Sequence, residues 1–288
     1  MTCRTDSSSV SGELAVSTHA QLGDFLVPLA DMQLNTDADS VWKICQAVRN
    51  NSPLIQCITN FVSMAHCYDE VEAFQHVAAG LVVNVGTLSP DWVASMQLAA
   101  KTANFLKKPW VLDPVGAGAT EFRTKTIVSL LKQGPTLIRG NASEIMAVAG
   151  KAGVITRGVD STANTADALA SGKQLAKDYS CIVGISGAVD LITDGHTVLK
   201  VSNGDAMMTK ITAAGCSVTA MACAFITAAP EEPLRATAFA LAVFGMAAEL
   251  GLQAGAKGPG SLRVEILDAL HNLTRDQVRV VQKVSDCE

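Results

Sequence analysis

The chain has no cluster of lysine or arginine, no CxxC pair and no uninterrupted apolar run near the roughly 20 residues needed to span a bilayer. It also lacks both common glycine-rich phosphate signatures. Each absence excludes something. Without a basic patch, and with a formal charge of −5, the sequence argues against nucleic acid or an anionic membrane as the main partner. The eight cysteines, Cys3, Cys45, Cys57, Cys67, Cys181, Cys216, Cys223 and Cys287, are scattered and mostly sit in apolar runs. They fit free thiols of a reducing compartment, rather than a disulfide framework or a zinc site. Neither GxGxxG nor GxxxxGK[ST] occurs, so any nucleotide needs a different phosphate cradle. The first residues lack a hydrophobic h-region and an acid-free basic character, which makes a cytoplasmic protein the default.

What is present is a 288-residue chain that is 49% apolar, enough for one large core. Residues 1–38 show no sustained period and read as a loosely ordered extension, with a single domain over 39–288. "SVWKICQAVRNNSP" spaces Val41, Ile44, Cys45 and Val48 helically behind a Ser40 cap. Then "LIQCIT", "GLVVNVG", "PWVLDPVG", "PTLIRGN" and "CIVGISG" are short apolar runs ending in Gly, Asn or Asp. They read as parallel strands, with "DLITDG" and "HTVLKVSNG" as a later hairpin. Helices are expected over 66–79, 90–107, 123–133, 142–149 and 165–178. A helical block follows over 216–228, 233–253 and 259–271, ahead of a charged tail. Strand and helix alternating, then a run of helices, is an α/β three-layer sandwich with a mostly parallel central sheet. Its ligand crevice lies beyond the carboxyl ends of the strands.

The strand ends supply Asn60, Asn84, Gly86, Asp113, Arg139, Asn141, Ser186 and Gly187. Gathered at one rim, one acid, one arginine, amides and glycines suit an anionic ligand. Taken singly, each is equally ordinary turn chemistry. The turn Ala213-Ala214-Gly215-Cys216 opens a helix. The amides of a helix amino terminus carry the positive end of the dipole, and small side chains let a phosphate approach them. The same field favours the thiolate of Cys216, lowering its pKa and making it a plausible base. The plainer reading is a small cysteine that happens to start a helix, as Cys223 happens to lie further along it.

In combination, "SPLIQCITN", "NVGTLSPDW", "WVLDPVGAGATEFRT", "IRGNASEI", "KITAAGCSVTA" and "KGPGSLRVEILDAL" resemble the hydroxyethylthiazole kinase family, a thiamine-salvage branch of the ribokinase-like fold. The resemblance covers about Trp42 to Val278. It implies transfer of the γ-phosphoryl group of ATP, with Mg2+, to the primary alcohol of 4-methyl-5-(2-hydroxyethyl)thiazole. It also implies a homotrimer with its active sites at subunit interfaces. Carried over by position, Asp113 lies near metal and phosphates, Glu144 helps to bind Mg2+, and Arg139 meets the nucleotide phosphates. Ser186 and Gly187 line the nucleotide site. Ala213, Ala214, Gly215 and Cys216 form the anion hole, with Cys216 facing the alcohol, and Asn60, Met64 and Gly86 match thiazole-pocket positions. Ala213 replaces a common family glycine, which is tolerable only if its φ stays negative. The chain departs from the family after Asn60, where about sixteen residues, one helix and most of one strand, have no counterpart. The alternatives are a hydroxymethylpyrimidine-type small-alcohol kinase, or a non-catalytic subunit that binds nucleotide or supports assembly.

Overall fold

Residues 36–58, 65–153 and 165–287 are described in a computed structural model of the chain. The five apolar runs form parallel strands: β1 (Ile55–Ile58), β2 (Gly80–Asn84), β3 (Trp110–Asp113), β4 (Leu137–Asn141) and β5 (Ile182–Ser186). The antiparallel strands β6 (Asp190–Thr193), β7 (Val198–Val201) and β8 (Val284–Asp286) extend the same sheet. Strands β2 and β3 are buried throughout their length, which explains why they read as continuous apolar runs rather than alternating ones.

Spatial order in the sheet is sequence order, from β1 to β8. Right-handed crossovers that always step in one direction put every connecting helix on the same face. Helices α2 (Tyr68–Val77), α3 (Pro90–Phe105), α4 (Glu121–Leu131), α5 (Ala142–Ala152) and α6 (Thr165–Tyr179) make up these connections. The opposite face therefore needs a separate cover. α7 (Ala214–Ala228) packs on β1 to β3 and α8 (Pro233–Gln253) on β5 to β8. Behind them lie α1 (Ala38–Asn51), α9 (Pro259–Asn272) and α10 (Arg275–Val281). This is the expected three-layer α/β sandwich.

Local chemistry sets the helix boundaries. Ser89 and Thr120 cap α3 and α4 by accepting from the amides of Trp92 and Arg123. Lys108 Nζ closes the carboxyl end of α2 by donating to the carbonyls of Gln75, His76 and Ala78 at 2.7, 2.8 and 2.6 Å. Gly245 in α8 lies against Asn203, where any Cβ would come within 2.6 Å of that residue's backbone, so α8 can sit close to the chain leaving β7.

Several expectations are corrected. Helix α1 is capped by Asp37, whose carboxylate accepts from the Ser40 amide at 2.7 Å, so Ser40 lies inside the helix. The tail forms α10 and β8. Arg275 and Arg279 of α10 pair with Asp39 of α1 and hold its carboxyl at about 2 through hydrogen bonds and charge. Helix α8 is 21 residues long and, by length and composition, apolar enough to cross a membrane. It is instead largely buried as the core helix of its layer, and its polar interruptions Arg235 and Glu249 hide it from a search for an unbroken run. The expected extension over 1–38 falls, up to residue 35, outside the described residues.

Candidate active site

Parallel register gathers the strand ends. Asn84 pairs with Asp113 across β2 and β3, and Asn141 pairs with Ser186 across β4 and β5. Arg139 points across Gly184 of β5, where a Cβ would meet the arginine Cγ at 3.1 Å, so this glycine leaves room for the arginine stem. The amino end of α7 completes the rim from the other layer.

Three side-chain contacts at the rim tie that helix to the strands. Thr219 Oγ1 lies 2.9 Å from Asp113 Oδ2 and 3.0 Å from the Gly215 carbonyl, so its hydroxyl proton is shared between them. Asn84 Nδ2 donates to Cys216 Sγ at 3.2 Å. The same Gly215 carbonyl accepts from Arg139 Nη1 at 3.2 Å. The first intrahelical bond runs from the Ser217 amide to the Ala213 carbonyl at 2.9 Å, so the helix itself does not use the amides of Gly215 and Cys216.

Ala213 corrects the expectation of a negative φ. Its φ and ψ are 69° and 7°, the left-handed region. That conformation carries the sharp turn from Ile211 into α7, and it costs an L-residue with a Cβ roughly 1–2 kcal/mol.

The electrostatics correct a second expectation. Asp113 is 3% exposed, and burial pushes its carboxyl up to about 6; Glu144 adds to the rise, while Arg139, Thr219 and Asn84 oppose it. Burial, then the Asp113 carboxylate, raise the Cys216 thiol above its usual range, opposing the lowering expected from the helix terminus; Asn84 and Arg139 pull it partly back.

Glu144 lies in the first turn of α5, where its carboxylate accepts from the amides of Gly116 at 2.8 Å and Asn141 at 2.9 Å. Asn141 Oδ1 accepts from the Glu144 amide in return, a capping box. This box draws the "DPVGAG" loop over β4. Arg123, which the sequence reading did not single out, clamps the neighbouring loops by donating to the carbonyls of Val85, Val115 at 2.9 Å and Gly86 at 3.3 Å.

A cavity of about 620 Å3 opens beside Arg139 and the start of α7. Ser186, Gly187 and Asp190 form one wall, while Val218, Leu241, Phe244 and Met208 supply apolar surface. Ser186 Oγ and Arg139 Nε are buried there and have no hydrogen-bond partner among the described residues. Buried polar groups are normally satisfied, so both point to a polar ligand. Leu241 and Phe244 of this apolar wall come from α8, and nothing local in the sequence marks them as facing a ligand.

Thus Asp113, Arg139, Ala213 to Cys216, Glu144, Ser186 and Gly187 converge, and Gly86 sits in the adjoining loop. Asn60 and Met64 lie outside the described residues. Thr219 was also missed, although its position four residues after Gly215 places it one turn below the rim on the same helix face.

No group of three or more His, Cys, Asp or Glu among the described residues forms a metal cluster. Two carboxylates, Asp113 and Glu144, are close enough for Glu144 to raise Asp113. That pair suits magnesium, which keeps several waters, takes one or two carboxylates and uses substrate phosphate oxygens for the remainder.

Comparison with solved structures identifies the class. The pyridoxal kinase from Staphylococcus aureus, in complex with pyridoxal, aligns with a TM-score of 0.54 at 17% identity over 76% of both chains, a likeness of fold alone. The chain is thus an α/β protein of the ribokinase-like fold. The structure of the hydroxyethylthiazole kinase protein from Pyrococcus horikoshii OT3 aligns with a TM-score of 0.79 at 35% identity, covering 87% of this chain and 100% of that one. The Hydroxyethylthiazole kinase family profile matches residues 45–276. Hydroxyethylthiazole kinase of Arabidopsis thaliana is 43% identical over 267 residues, covering 87% of this chain and 96% of its own. That of Zea mays is 44% identical over 263 residues, covering 85% and 92%. The chain belongs to the hydroxyethylthiazole kinase family.

Proposed function

We propose that the protein transfers the γ-phosphoryl group of ATP to the primary alcohol of 4-methyl-5-(2-hydroxyethyl)thiazole. The observation that carries this reading is the turn at 213–216. It sets helix-terminus amides, the Arg139 guanidinium and the Cys216 thiol around one point at the mouth of a cavity with unpartnered buried polar groups. A phosphoryl group in flight needs charge neutralisation from several directions and little covalent help. Arg139 and the turn amides supply it, and the apolar wall of Val218, Leu241, Phe244 and Met208 takes the nucleoside.

Cys216 accepts the alcohol proton in its thiolate form, having first lost its own proton to solvent. Burial makes that form scarce but more basic when present, and because the transition state is loose the proton moves late. Magnesium, when bound beside Asp113 and Glu144, would supply charge neutralisation to the phosphates. Ser186 and Gly187 line the nucleotide side, and the family resemblance assigns Asn60, Met64 and Gly86 to the thiazole. A cytoplasmic location and a homotrimer with interface active sites belong to the same reading; the first rests on the amino-terminal composition and the scattered cysteines, the second on the family resemblance.

The shortened connection after Asn60 bears on how well the reaction runs. One helix, α2, lies between β1 and β2 among the described residues, and the two strands pair directly in parallel. Among the described residues β1 is the edge of the sheet, with unpaired hydrogen-bonding groups on its outer side. The alignments agree in size with a deletion, because 267 positions are matched by only 87% of 288 residues. Beside this edge, buried Gln56 Oε1 and both amide atoms of Gln75 have no hydrogen-bond partner among the described residues. The thiazole half is therefore weakened while the nucleotide half is complete.

The test compares this chain with a version carrying the missing helix and strand. Thiazole-dependent ADP release and mass in solution are measured for both, with hydroxymethylpyrimidine as a competing alcohol. Turnover on thiazole over pyrimidine supports the reading. Nucleotide binding without transfer to any alcohol, in both versions, overturns it in favour of a non-catalytic subunit.

A further inference from the structure

Asn84 closes β2 and is 1% exposed, yet the turn it begins accounts for only half of its amide. Its Oδ1 accepts from the Gly86 amide at 2.9 Å, an ordinary local turn bond. That bond fixes which end of the side chain faces where. An N–H can meet only the oxygen, so the NH2 end must be the one at Cys216 Sγ, 3.2 Å away. An NH2 group has only hydrogens to offer, so the sulfur accepts on this side. Any proton it carries or receives lies on another.

The NH2 group has two hydrogens, and the Asp113 carboxylate stands beside it in direct strand register, where Asn84 helps to hold the carboxyl down against the rise from burial. One amide thus stands beside the carboxylate at the end of β3 and donates to the sulfur at the start of α7. These two groups reach the rim from neighbouring layers of the sandwich, the sheet and the helices packed on it.

We propose that Asn84 is a positioning residue for phosphoryl transfer: its NH2 group holds the Cys216 sulfur as an acceptor at a set place beside Asp113. This rests on the kinase reading above. The role is distinct from capping the Gly86 turn, because a cap requires only the oxygen end. It is also distinct from catalysis, because Asn84 acts through Cys216.

Two measurements test it, one of them independent of activity. In the first, Asn84→Ser is placed in the parent and in a Cys216→Ala background, and kcat and KM are measured for both substrates. In the parent kcat should fall roughly tenfold, the scale of one charge-assisted hydrogen bond, with KM for ATP unchanged. In the Cys216→Ala background the same substitution should change kcat less than about threefold, because contacting residues are coupled. Equal loss in both backgrounds means a merely structural role and overturns the proposal. In the second, iodoacetamide labelling of Cys216 is followed at a fixed pH by the mass of peptide 211–235, in the parent, Asn84→Ser and Asn84→Leu. Leucine is similar in size but has no donor, so labelling should slow about fivefold or more, since the thiolate is the nucleophile and loses its donor. Cys223, buried in the same peptide, should stay unlabelled while the fold holds. Unchanged or faster labelling of Cys216 with Cys223 still protected overturns the proposal. Where the parent turns over no thiazole, the kinetic comparison is run in the version carrying the missing helix and strand; if neither version turns over an alcohol, the kinase reading falls, and the labelling comparison alone decides whether Asn84 holds the sulfur.

Discussion

Replacing Ala213 with glycine should make the protein more stable. Ala213 sits at φ 69° and ψ 7°, the only positive-φ non-glycine residue described in the turn that opens α7. A Cβ in that region costs roughly 1–2 kcal/mol through its clash with the following carbonyl. Glycine removes the clash but frees the unfolded chain, which takes back about 0.4–1 kcal/mol. The net gain is then at most about 1.6 kcal/mol, with a midpoint near 0.8 kcal/mol. For a domain of this size that midpoint corresponds to a rise of roughly 2–3 °C in the melting temperature. Urea unfolding should show a higher midpoint with an unchanged slope, because the surface exposed on unfolding is the same. Ala213→Val is the opposite control: a β-branched residue is a true outlier at positive φ, so it should lose stability by more than glycine gains. A loss of stability in Ala213→Gly, or an Ala213→Val protein as stable as the parent, would refute the strained-turn argument.

Asp113→Asn should remove turnover while stabilising the protein at neutral pH. The Asp113 carboxyl is raised to about 6, so its contribution to folding is complete below the unfolded value near 3.8, erodes as pH rises to about 6 and is gone above it; the gap is worth roughly 3 kcal/mol. Stability of the parent should therefore fall between pH 4 and 6 relative to the variant, and parallel pH profiles would refute the buried-acid account. Cys216→Ala should lower kcat by up to the roughly 10²–10⁴-fold ascribed to general bases, with the loose transition state favouring the low end, while Cys216→Asp keeps activity. Full turnover in a folded Cys216→Ala protein would remove the thiol from the reaction. Glu144→Gln should raise the magnesium concentration needed for half-maximal activity more than it changes thiazole KM. Because Glu144 also accepts from the amides of Gly116 and Asn141, the melting temperature should be followed alongside.

Whatever depends on near neighbours was legible in the chain itself. The apolar runs closed by Gly, Asn or Asp became strands, helix boundaries fell within a few residues of those expected, and the span 233–253 was read as it stands in α8. The reason is local: side-chain periodicity and turn preference act over a few residues. The rim was legible for a related reason, because a parallel strand delivers its last residue to the same edge as its neighbours. What the sequence could not carry is every quantity set by residues distant along the chain. The short polar strand β8 exists because β7 offers it a partner some 80 positions away in sequence, and no pattern in "VSD" announces that. The sign of φ at Ala213 was decided by where α7 must start in order to lie on β1 to β3, so packing overrode the preference of alanine. The Cys216 thiol moved up rather than down because tertiary burial and the Asp113 carboxylate, 103 positions away in sequence, outweigh the helix terminus on which the residue sits. Asn84 could be read as a turn residue at a strand end, but its contact with Cys216 exists only because two layers of the sandwich close on the same point, which is a property of the fold and of no segment within it.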